Sequence, residues 1–164
     1  MVEVTERGRT LAFSFEDVMK YHGGGSPGGA AIAFKALERA LPLLEPGTPP
    51  ERREITLDTA FNGPGARDAF EYVTRAVTGE RYWVDPELER PDLGRARERF
   101  VFRFTYRDNT TTLTLRDGFV TDEFVDLAGT DPRDPAQEAR LEALKADLAE
   151  RVMARPSEDV FETG

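Results

Sequence analysis

An α+β fold in a single domain is what this sequence of 164 residues predicts, and three observations carry that expectation. Apolar residues recur at helical spacing, most clearly at Ala33, Leu37, Ala40, Leu41 and Leu44 and again at Leu141, Leu144, Leu148 and Val152. Phe100, Phe102, Phe104 and Tyr106 alternate strictly, which puts four rings on one face of a strand. The two kinds of segment follow each other irregularly, without an internal repeat or a linker long enough to divide domains. Helices packed on a small, mostly antiparallel sheet are therefore expected.

The elements follow in order. The first ten residues are polar and without period, so residues 1–10 are read as a flexible N-terminus and residues 11–164 as the domain. Ser14-Phe15-Glu16-Asp17 has the form of a capping box that opens a short helix. That helix ends in Tyr21-His22-Gly23-Gly24-Gly25, and Ser26-Pro27 stands as N-cap and first residue of a second one. Pro42 and the run Pro46-Gly47-Thr48-Pro49-Pro50 close it. Glu54 to Phe61 alternates and is read as a strand, broken by Asn62-Gly63-Pro64-Gly65. A third helix then buries Ala66, Ala69, Phe70, Val73 and Val77, with Gly79 as its C-terminal cap.

Tyr82-Trp83-Val84 is a short strand. The aromatic strand and the β-rich Thr110 to Arg116 form a hairpin around Arg107-Asp108-Asn109. A short helix runs through Phe124 to Leu127. The last helix opens at Asp134-Pro135-Ala136-Gln137, and Pro156 prevents its continuation.

Composition narrows the function. The chain has no cysteine, which excludes disulfides, thiolate nucleophiles and cysteine-held metals. A net charge of −9 argues against binding to nucleic acid or anionic membranes. There is no apolar run of membrane-spanning length and no apolar segment after Met1, so a cytoplasmic protein is expected.

Two glycine-rich loops stand out, Tyr21 to Gly29 and Asn62 to Gly65. Each precedes a helix start, where free N–H groups and the positive dipole end favour an anion. If the two starts meet, they make a small site for a carboxylate, phosphate or enolate; otherwise both are tight connections with ordinary caps. Neither loop has the order of a nucleotide-binding motif. His22, the one histidine, is placed to act as a general base or to bind the free carbonyls of its own helix end. Ser26 is explained by its N-cap position without a nucleophilic role.

The segment Tyr21-His22-Gly23-Gly24-Gly25-Ser26-Pro27-Gly28 resembles the FmdE family of formylmethanofuran dehydrogenase components, whose members carry aromatic-His-Gly-His-x-Cys-Pro-Gly at a helix start. Gly24 stands for the second His and Ser26 for the Cys. Gly65-Ala66-Arg67-Asp68-Ala69 resembles the family's Cys-Ala-x-Asp-Ala, with Gly65 for the Cys and Asp68 kept. Thr78-Gly79-Glu80 is similar to Thr-Gly-Cys, Asp92-Leu93-Gly94-Arg95 to Asp-x-Gly-Lys, and the tail from Pro156 to Phe161 to the closing Pro-x-Glu-x-x-Phe. The resemblance implies an α+β fold, often dimeric, with a metal held by Cys and His at these loops. Here only His22 of those ligands remains, and one imidazole with oxygen ligands binds zinc weakly. No metal and no cofactor are expected.

What the resemblance leaves is a pocket lined by His22, Ser26, Asn62, Asp68, Glu80 and Tyr82, with Tyr21, Gly24 and Gly25 at its edge. The first functional expectation is a metal-independent enzyme of lyase, isomerase or cyclase type, in which the helix starts stabilise an oxyanion and His22 or Asp68 moves a proton. The alternatives are a binding protein for a small anionic metabolite and a residual metal site of His22 with carboxylates. A homodimer is also expected, because the aromatic strand face and the last helix offer much apolar surface; the competing arrangement packs one over the other within the chain.

Overall fold

The computed structural model describes all 164 residues. It has the expected α+β class, with six helices against two sheets. The strands are β1 (Val2–Glu6), β2 (Arg9–Phe13), β3 (Ile55–Thr59), β4 (Tyr82–Val84), β5 (Val101–Tyr106), β6 (Asn109–Leu115) and β7 (Phe161–Thr163). The helices are α1 (Phe15–His22), α2 (Pro27–Leu44), α3 (Pro64–Thr74), α4 (Asp122–Ala128), α5 (Pro135–Met153) and α6 (Ser157–Val160). The main sheet has the order β4-β3-β5-β6-β7, antiparallel except for the β3–β4 pair. No helix is long and apolar enough to cross a membrane.

Helix α2 is the centre of the molecule. Every residue from Ala30 to Leu37 is buried, so it is covered on all sides rather than along one stripe. Its small residues explain how: Gly28, Ala30, Ala31 and Ala33 let α3 and α5 come close, while Phe34 and Leu37 fill the space between. The aromatic face of β5 is wholly consumed within the chain. Phe70 of α3 lies 5.8 Å from both Phe102 and Phe104, and Phe161 of β7 meets Phe102 edge-on at 5.8 Å.

The sequence expectations need correction in three places. The first ten residues are not loose: β1 and β2 form a hairpin through Arg7-Gly8, both at positive φ, and Val2 and Val4 are buried in the core. Two apolar residues at alternate positions suffice once α2 lies beneath them. Second, α3 ends at Thr74, before Val77 and Gly79. Arg75 takes the left-handed cap with φ 58, and two guanidiniums satisfy the helix end. Arg52 donates to the carbonyls of Tyr72 and Val73, and Arg81 to those of Thr74 and Arg75.

Helix α5 ends at Met153, ahead of Pro156 as expected, and the chain adds structure beyond it. Residues 157–160 make one helical turn and β7 adds a strand beside β6. Third, the apolar surface from which a homodimer was expected is packed within the chain. Phe100, Phe102, Phe104 and Tyr106 are all buried, as are Leu141, Leu148 and Val152 of α5.

Candidate functional site

His22, Ser26 and Asp68 are brought together as expected, but around a closed centre. His22 is the last residue of α1, Ser26 the N-cap of α2, and Asp68 lies in the second turn of α3. The Ser26 backbone N–H donates to His22 Nε2 at 2.8 Å, and His22 Nδ1 is 2.8 Å from Asp68 Oδ2. An acceptor at Nε2 puts the proton on Nδ1, so the imidazole donates to Asp68. The ring is 5% exposed, and both its nitrogens are spoken for by the protein. It ties three helix ends together. To take a proton at Nε2 it has to release the Ser26 amide.

The two helix starts do meet, in direct contact rather than around a gap. A Cβ at position 65 would lie 2.2 Å from the Ser26 carbonyl oxygen and 2.8 Å from the Ala30 amide nitrogen. The family resemblance puts cysteines at positions 26 and 65, yet position 65 has no room for any side chain. No group of three His, Asp or Glu side chains converges here or elsewhere in the molecule. The residues present therefore do not fit the metal that the resemblance implies, nor the residual site of His22 with carboxylates.

The remaining expected residues are dispersed. Tyr21 is half exposed, its ring 5.1 Å from Tyr72. Gly24 and Gly25 lie in the exposed loop between α1 and α2, with the Gly25 carbonyl accepting from Lys145 of α5 at 3.3 Å. Glu80 stands exposed in the turn after α3, at φ 57 and without a hydrogen bond or ion pair from its carboxylate. Tyr82 packs its ring 6.1 Å from Phe70, and its buried hydroxyl has no partner. Burial pushes that hydroxyl above the usual tyrosine range, only partly offset by the field of Arg67.

Asn62 alone of this set lines a sizeable cavity. A cleft of about 630 Å³ lies between the Phe61-Asn62 turn, the segment from Arg95 to Phe100, and α4. That volume is within the range of small-molecule sites, roughly 300–1,000 Å³. The Phe61 and Phe100 rings stack at 4.5 Å along one wall, and Phe124 and Val125 of α4 supply another. Its polar groups divide into two kinds. Arg95 is ion-paired with Asp126 of α4, and Arg99 is held loosely by Glu89 at 3.5 Å. The side chains of Asn62, which is exposed, and of Glu98, which is half buried, bond to nothing in the protein.

None of His22, Ser26 or Asp68 lines this cleft. Sequence reasoning misses Glu98 and Phe124, and no local signal marks either: one sits in a charged run, the other in a two-turn helix. Phe61 and Phe100 are visible in the sequence only as strand ends.

No protein-family model matches the chain, and no curated protein matches it.

Proposed function

We propose that this protein binds a small molecule in the cleft beside Asn62, and that the His22–Asp68 pair is part of the scaffold that holds the cleft's walls. The single observation behind this reading is the pairing of an apolar aromatic wall with two polar side chains, Asn62 and Glu98, that have no partner of their own. A few unbonded polar groups beside an aromatic wall are what orient a small molecule in a site of this kind.

Proton transfer through His22, the basis of a lyase, isomerase or cyclase reading, asks a shielded ring to break a 2.8 Å bond on one side or the other. Binding therefore comes before turnover in this reading. Two measurements test it. Ligand-observed NMR with a set of amphipathic fragments is expected to give hits that disappear in Ala128→Trp, which plugs the cleft from an exposed position on α4. Hits that survive the plug, or none at millimolar concentration, sink the binding reading. His22→Ala is expected to lower the unfolding temperature while leaving hit affinities within about twofold. It loses a hydrogen bond to a carboxylate and orphans the Ser26 amide, together costing about 2–3 kcal/mol. Loss of binding without loss of stability would return His22 to the site.

A further inference from the structure

The charges around this cleft say what kind of molecule it takes, if the binding reading holds. Both cations that line it are already matched, Arg95 by Asp126 and Arg99 by Glu89. Glu98 is not matched: its carboxylate makes no ion pair and no hydrogen bond. The hydrogen bond that Arg95 donates to Asp126 holds its guanidinium above its ordinary range, and the fields of Asp122 and Glu98 add to it. The two arginines and two carboxylates of the lining balance, and the one charge left without a partner is the Glu98 carboxylate, within a chain whose net charge is −9.

The wall chemistry agrees with that sign. The negative faces of aromatic rings attract a cation and repel an anion. A carboxylate ligand would meet Glu98, and both lining guanidiniums are already shared, Arg95 with Asp126 and Arg99 more loosely with Glu89. We propose that the ligand is an organic ammonium compound with an apolar body of about the size of a phenyl ring. Its ammonium group pairs with Glu98, its body lies against Phe100 and Phe124, and the Asn62 side-chain carbonyl accepts a second N–H. This replaces the anionic metabolite expected from the glycine loops, whose helix starts are closed against each other.

Three probes of one shape and different charge test this: 2-phenylethylamine, 2-phenylethanol and 3-phenylpropanoate, titrated by calorimetry with chemical-shift mapping on the full chain. The amine is expected to bind at least about tenfold more tightly than the other two, and to lose about tenfold in Glu98→Gln. Glu98 is half buried and unbonded, so that variant keeps its fold, which circular dichroism verifies. Glu98→Asp, which retains the charge, is expected to recover part of the loss. Equal or tighter binding of the propanoate overturns the proposal, as does an amine affinity unchanged in Glu98→Gln. If only the neutral alcohol binds at the cleft, the charge assignment fails and the binding reading stands. If no probe or fragment binds there, both fall.

Discussion

Two glycines show how single positions set the spacing of the core. Both Gly28 and Gly65 occupy first turns of helices, and neither has the positive φ that would itself call for glycine. Their surroundings differ in kind. A Cβ at position 28 would come within 2.8 Å of Leu148 Cδ2, the end of a flexible side chain that can turn aside. A Cβ at position 65 would strike the Ser26 carbonyl and the Ala30 amide, which cannot move without shifting α2 against α3. Gly65→Ala is therefore expected to cost about 3 kcal/mol or more, and Gly28→Ala to stay within about 1 kcal/mol of the parent. In a domain of this size that is about 10 °C in Tm against about 3 °C or less. Comparable losses from the two substitutions would show that α2 and α3 can separate at little cost. The same junction explains why His22 is half legible. Its place before a glycine loop is plain in the sequence, but its partner Asp68 lies 46 residues away on another helix, and nothing local links the two.

At the scale of elements, legibility follows how locally each boundary is determined. The Ser14 and Asp134 capping boxes are self-contained and form as expected, with reciprocal bonds to Asp17 and Gln137. The end of α3 is not local: Arg52, Arg81 and the Glu71–Thr78 link fix it from outside, so Gly79 is a misleading signal. Glu71 is a sensitive probe of that end. Burial pushes its carboxyl up, but the Thr78 hydroxyl and amide and the Arg75 guanidinium outweigh burial, and its pKa falls below the ordinary 4.5. A carboxylate held down in the folded state adds stability above pH 4.5 that fades as pH drops through its folded value. Glu71→Gln is expected to be less stable by about 1 kcal/mol at pH 7, with the gap closing in acid. Denaturant melts of both proteins from pH 7 down to pH 3 would give the two curves; a gap that is constant across that range contradicts the assignment.

At the scale of the whole molecule, the α+β class is readable because periodicity reports burial directly, whereas the cleft is not. Its walls come from the end of β3, the segment before β5, and α4, three stretches that only the folded chain brings together. The same scale decides assembly. Much apolar surface suggests a partner only while its destination is unknown, and here each large patch has one inside the chain: β5 against α2 and the Phe70 ring of α3, with Phe161 beside it, and α5 against α2. The large apolar side chains left exposed are Met1, Tyr21, Leu43, Trp83 and Val84. They come from separate elements apart from the Trp83-Val84 pair, and isolated exposed side chains do not make an interface of the roughly 800 Å² per partner that a stable dimer uses. The free sheet edges do not change this, because β4 and β7 are three residues each, too short to template a lasting pairing with a second copy. The chain is expected to be monomeric, and light scattering at micromolar concentrations should give 18.4 kDa. A mass of twice that value would mean that β4, with Trp83 half exposed beside an open edge, pairs after all. Trp83→Lys would then split the dimer without touching the core, because that side chain already stands in solvent.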